Sequence, residues 1–330
     1  MVPPASRVAI AILWLSHVFL TARGLVHHYS DFLPPPTSWY NLWLPRPTDD
    51  LLLLHIQQPP AQGRYQHSRA LSRRRHFGYS RHNGPDAWPL EYPKCNGERQ
   101  SPINLESDEM YRLVVADRLQ WHGYWDRPRN LTLTNNGHTI QVSGNWETAP
   151  TISGGPLESE YSFSQLHFHW GSNDKIGSEH TVGNVSFPME MHLVHYKKAY
   201  GSQDEAVKYE DGLAVVSFLF QLSEWPNPGL NAIIPFLDAM VGAELEVTLV
   251  RPFPLEILDV SFPSEYVTYL GSLTTPPCSE VVTWIVSSRP LTLSHEQLAK
   301  FRYLSSADGE LENNFRPVQP TNGRPVFYVT

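Results

Sequence analysis

The sequence predicts a mainly β fold, α+β in class, with few helices. Three observations carry this. Gln165–Trp170 and Glu190–His195 alternate polar with aromatic or aliphatic residues, the period-two signature of strands. An Asn135-Asn136-Gly137 turn separates two further alternating runs. Only two helix signals stand out, a capping box at Ser294–Gln297 and a stretch over Asn231–Val241.

In chain order, Val8–Leu20 is a mainly apolar run of thirteen, followed by Thr21, Ala22, Arg23 and Gly24. Its length is that of a signal-peptide core and too short to span a bilayer comfortably. Residues 1–24 are therefore read as a secretory signal, with an uncleaved signal anchor as the alternative. Over residues 25–75, Pro34-Pro35-Pro36, Pro45, Pro47, Pro59 and Pro60 interrupt any regular element. This reads as a poorly ordered extension ending in Arg69-Ala70-Leu71-Ser72-Arg73-Arg74-Arg75. That run is either a processing site, which makes the extension a propeptide, or a solvated stretch of charge. Leu131–Thr134 and His138–Val142 flank the Asn-Gly turn and form a hairpin. Strands are further expected at Leu213–Leu222, Leu245–Val250 and Val281–Val286. There is no internal repeat.

With 330 residues, 41% of them hydrophobic and 12% aromatic, the chain has ample material for a core. Its net charge of −8 argues against a nucleic-acid partner, which needs clustered Lys and Arg. The two cysteines, Cys95 and Cys278, are compatible with two buried thiols or one bridge.

Strand parity is most informative at the histidines. Gln165, His167 and His169 share one face of their strand, while Leu166, Phe168 and Trp170 share the other. In the second segment Glu190, His192 and Val194 share a face. If the two strands are neighbours, three imidazoles converge. Three nitrogen donors with a fourth position open suit a catalytic zinc, whereas structural zinc sites close all four positions. Gln165 and Glu190 each precede a candidate ligand by two residues on its own face, where a group that fixes the tautomer belongs. Half-buried histidines without metal are the alternative on residues alone. His295-Glu296 begins like a zinc-protease helix but lacks the second histidine.

The order of motifs from His76 to Thr330 resembles the α-carbonic anhydrases. It comprises Glu98–Asn104 (ERQSPIN), Asn135–His138 (NNGH), Gln165–Ser172 (QLHFHWGS), Gly177–Val182 (GSEHTV), Glu190–Tyr196 (EMHLVHY), Asp211–Val216 (DGLAVV), Gly271–Glu280 (GSLTTPPCSE), Val282–Val286 (VTWIV) and Asn313–Pro320 (NNFRPVQP). The resemblance implies one catalytic domain over 76–330. Its fold would be a large, mostly antiparallel, twisted central sheet with peripheral helices and a conical site on one face. It further implies Zn2+ on His167, His169 and His192, and reversible hydration of carbon dioxide to bicarbonate through zinc-bound hydroxide. Thr274 would orient the hydroxide and Glu179 would hold Thr274. His138 would be the proton shuttle and Tyr79 would order the water network. Val194 shares the face of His192, and the resemblance adds Val215, Leu273, Thr275 and Trp284 to the substrate pocket. His180, His195, Asn104 and Arg316 match structural positions.

The cysteine positions resemble the pair bridged in extracellular members, so a Cys95–Cys278 disulfide and a secreted protein are expected. Asn130-Leu131-Thr132 and Asn184-Val185-Ser186 would then be glycosylation sequons. Phe77, Tyr196 and Phe315 depart from the commonest residues of the pattern. The expected partner is the small-molecule substrate, with no membrane span and a monomeric state. The alternative from another class is a catalytically silent, extracellular binding or matrix module.

Overall fold

The structure, a computed structural model, describes residues 77–306 and 308–330. The apolar run Val8–Leu20, the proline-broken extension and the basic run ending at Arg75 lie outside these residues. Ten strands form the spine of a 13-stranded sheet. They are β1 (Tyr111–Leu113), β2 (Asn130–Asn135), β3 (Ile140–Asn145), β4 (Leu157–Trp170), β5 (Met189–Lys197), β6 (Leu213–Leu222), β7 (Leu245–Thr248), β8 (Tyr266–Gly271), β9 (Val282–Ser287) and β10 (Phe327–Val329). Their order across the sheet is β7-β2-β3-β4-β5-β6-β9-β8-β10-β1. Pairing along this spine is antiparallel except β6 with β9 and β10 with β1. The expected mostly antiparallel sheet is present, with a few short helices around it.

Register places the site. β4 and β5 are neighbours, with Gln165 opposite Val194, His167 opposite His192 and His169 opposite Glu190. Across the next pairing Val194 faces Val215 and His192 faces Ser217. Val215 then neighbours Trp284 on β9, and Trp284 neighbours Tyr269 on β8. Cross-strand partners share a face, so a single face carries all these side chains over five strands. Between Phe163 and Gln165 the β4–β5 register shifts, a bulge immediately before the histidine run.

The opposite face is the main core. Leu166, Phe168, Trp170, Met191, Leu193, Val216 and Phe218 are buried there together. Helix α1 (His295–Arg302) covers this face, with the Phe301 ring 5.1 Å from Phe168 and 5.5 Å from Trp170. Burying one such aromatic contributes about 1.5–3 kcal/mol. The capping box at its start is present: Ser294 Oγ accepts the Gln297 amide, and the Gln297 side chain accepts the Ser294 amide. The second expected helix is much shorter than Asn231–Val241. Only the 3-10 turn Leu230–Ala232 and the single turn Ile234–Leu237 form. Pro235 lacks the amide that a helix running through this stretch would bond to residue 231.

Candidate metal centre

The rings of His167, His169 and His192 lie with centroids 5.0, 5.2 and 4.6 Å apart. One nitrogen of each falls within 4.8 Å of the other two. The opposite nitrogen of each ring is taken. His167 Nδ1 donates to Gln165 Oε1 at 2.9 Å, His169 Nδ1 to the Asn314 carbonyl at 2.8 Å, and His192 Nε2 to Glu190 Oε1 at 2.7 Å. Carbonyl and carboxylate oxygens only accept, so each ring keeps its proton on the outward nitrogen. The inward nitrogens then present lone pairs. His169 Nε2 and His192 Nδ1 face one another at 3.1 Å, a repulsive contact unless a cation lies between the lone pairs. The residues therefore fit a zinc ion.

Burial keeps all three imidazoles neutral. It holds His167 well below the usual histidine range, helped by His169 and His192, and lowers His169 to about 4. His192 is likewise lowered by burial, against the opposing pull of Glu190. Neutral rings are the form a metal binds.

Behind the three histidines is a buried polar layer. Burial alone would raise Glu190, but His180 and His192 outweigh it and hold the carboxyl well below its ordinary value. His180 Nδ1 donates to Glu190 at 2.7 Å, and its Nε2 lies 2.7 Å from Tyr269 Oη. Tyr269 Oη is in turn 3.0 Å from Ser101 Oγ. A second group of possible metal-binding atoms, His180, Glu190 and His192, is this hydrogen-bonded layer itself.

Glu179 is buried, and its Oε1 accepts the Arg316 amide at 2.8 Å. Burial pushes this carboxyl up to about 7, opposed by His192 and by the Thr274 hydroxyl. Thr274 thus favours the charged form of Glu179, whose Oε2 has no regular hydrogen-bond partner among the described residues. Val194, Val215 and Trp284 form one buried apolar cluster, with Leu273 packed against it. The Trp284 ring lies 4.8 Å from His192. Thr275 is half-buried in the same loop and its carbonyl accepts the Cys278 amide at 2.9 Å.

His138 leaves the β2–β3 turn, where Asn136 Oδ1 accepts its amide at 3.0 Å. Its ring stacks on Phe77, with centroids 4.0 Å apart and planes 9° from parallel. Phe77, a departure from the common pattern, thus still offers an aromatic face. Tyr79 lies near Trp88, at 5.8 Å, and burial followed by the nearby Glu179 charge raises its phenol.

His195 points to the other face, as parity requires, and pairs with Tyr124 Oη. Cys95 and Cys278 are bridged across 183 residues. Asn130 and Asn184 are both exposed, but Asn184 Nδ2 is engaged with Glu106 Oε1 at 2.8 Å.

Two site residues escape sequence reasoning. Asn314 supplies the carbonyl for His169, accepts the Trp170 amide through Oδ1 at 2.6 Å, and donates to the His138 carbonyl at 2.9 Å. It lies in an extended segment without periodicity. Ser217, facing His192, donates to Glu190 Oε1 at 2.6 Å. Its signal was there: a single hydroxyl in the apolar run Leu213–Phe220, on the parity of Val215.

Among the described residues no helix is long and apolar enough to cross a membrane. A family model described as eukaryotic-type carbonic anhydrase matches residues 83–330. The chain is 41% identical over 257 residues to carbonic anhydrase 7 of Mus musculus, covering 76% of this chain and 96% of that protein. It is 38% identical over 261 residues to carbonic anhydrase 3 of Homo sapiens, with the same two coverages.

Proposed function

The chain belongs to the eukaryotic-type carbonic anhydrase family, and we propose that it hydrates carbon dioxide reversibly to bicarbonate and a proton, with zinc held by His167, His169 and His192. One observation carries the reading: three lone pairs converge from rings whose other nitrogens are all committed as donors. Zinc bound there supplies the Lewis acidity that makes water a nucleophile at neutral pH.

The chain's own residues do the rest. Thr274, whose hydroxyl favours the charged form of Glu179, would accept a hydrogen bond from the attacking oxygen's O–H and so orient it, with no proton transferred. Glu179 is fixed for this by the Arg316 amide. Val194, Val215, Leu273 and Trp284 give the apolar gas a dry approach, and Thr275 completes the pocket in this reading. His138 takes the released proton to buffer, since an imidazole exchanges protons near neutral pH. Tyr79 orders water along that route.

Residues 76–330 form the catalytic domain in this reading, and the enzyme works outside the cytosol. The Cys95–Cys278 bridge supports that placement, because disulfides persist in oxidising compartments. The thirteen-residue apolar run near the N-terminus supports it as well. Two free thiols in unreduced protein collected from the producing cells would contradict it.

The test of activity pairs two measurements on the full chain and on His167→Ala, His169→Ala and His192→Ala. Zinc content is assayed beside stopped-flow hydration of carbon dioxide. One zinc per wild-type chain is expected, with hydration falling at least about 100-fold in each variant. A zinc-loaded wild type without hydration would sink the reading and indicate a binding module.

A further inference from the structure

Glu190 accepts hydrogen bonds from five donors. Its Oε2 takes the Glu179 and His180 amides at 2.7 and 2.8 Å. Its Oε1 takes His180 Nδ1 and His192 Nε2, both at 2.7 Å, and Ser217 Oγ at 2.6 Å. A carboxylate offers about four lone-pair directions, so a fifth donor necessarily shares charge with the others. Three donors therefore compete for one oxygen.

Four of these donors have other duties, as backbone of a turn, as a ligand imidazole and as the link to Tyr269. Ser217 does not. It is fully buried on β6, in a run whose neighbours are all apolar. A buried hydroxyl is costly unless it is hydrogen-bonded, and its proton goes to Glu190. The carboxylate would remain anchored without it, by the two amides and by His180.

We infer that Ser217 is a positioning residue for the metal centre that acts through Glu190. By drawing charge from Oε1, its hydroxyl limits how strongly that oxygen pulls on the His192 Nε2 proton, and so limits the basicity of Nδ1, the nitrogen that faces the metal. An orienting carboxylate raises the basicity of its ligand; Ser217 tempers that effect. The inference rests on the zinc reading above.

The test uses the full chain labelled with 15N-histidine, as wild type, Ser217→Ala and Ser217→Cys. Two quantities are read: the proton shift of His192 Nε2–H, and the rate at which zinc passes to a chelator. In Ser217→Ala the ring proton moves downfield as the remaining hydrogen bond shortens. Zinc release slows by roughly two- to fivefold, less than the 10–100-fold typical of a direct orienting partner. Ser217→Cys keeps the shape, donates weakly and falls between the two; it carries the test if the alanine variant does not fold.

An unchanged ring proton and unchanged release, with only a lower melting temperature, would reduce Ser217 to a packing group and overturn the inference. An upfield shift with faster release would also overturn it, since the hydroxyl would then be propping the carboxylate in place. A wild type that takes up no zinc defeats the zinc reading instead. The ring-proton comparison in the metal-free chain still decides whether Ser217 acts through Glu190 on His192.

Discussion

At the scale of single residues, each imidazole of the His167, His169 and His192 cluster owes its tautomer to a different kind of acceptor: a side-chain amide at Gln165, a backbone carbonyl at Asn314 and a carboxylate at Glu190. The charged acceptor makes the strongest of these bonds. Glu190→Gln is therefore expected to lower zinc affinity roughly 10–100-fold in chelator competition, and an unchanged affinity would contradict its role. His138→Ala is expected to slow hydration about tenfold or more in dilute buffer, with added imidazole restoring the rate. If the variant proves as fast as wild type in dilute buffer, His138 carries no proton. Burial holds His195 down at about 3, against about 6.5 in an unfolded chain. Its contribution to stability is whole above about pH 6.5 and shrinks as pH falls toward the folded value, because the unfolded state alone takes up the proton. The loss reaches about 4 to 5 kcal/mol once both states are protonated. Denaturant unfolding of His195→Gln between about pH 6.5 and 4 should show a shallower decline than wild type; an identical slope would refute this assignment.

At the scale of elements, parity is the reason the histidine cluster was legible. In β4 and β5 a period of two sorts every side chain to one face or the other, so Gln165, His167, His169, Glu190, His192 and Val194 could be grouped before any pairing was known. The pairing of β4 with β5 had to be assumed, and the observed register puts His167 opposite His192. Asn314 was not legible because it reaches His169 across 145 residues from a segment with no repeat to read. The capping box of α1 was legible, being written in four consecutive residues. Ser294→Ala should lower stability by about 1 kcal/mol in denaturant unfolding. A loss near zero would mean that the cap is redundant with the packing of Leu298 and Phe301.

At the scale of the whole molecule, the disulfide and the site are one construction. Arg316 donates to the Cys95 carbonyl at 2.8 Å and to Gln100 Oε1 at 2.9 Å, while its own amide holds Glu179. Its guanidinium also lies over the Trp88 ring, at 5.7 Å. The bridge closes a loop across 183 residues, which restricts the unfolded chain by about 5 kcal/mol on the chain-entropy account. Cys95→Ser combined with Cys278→Ser should therefore unfold at markedly lower guanidinium concentration; an unchanged midpoint would show that native contacts alone set stability. The sheet order was beyond the sequence, since neighbours such as β10 and β1 are joined by no local signal. The central claim is that three oriented imidazoles make this chain a zinc-dependent carbon dioxide hydratase. Stopped-flow hydration by the full chain, before chelation, after it and after restoring zinc, tests this most directly. The account predicts fast hydration that disappears with the metal and returns with it. Hydration that is absent from the zinc-restored chain, or that persists without zinc, would contradict it.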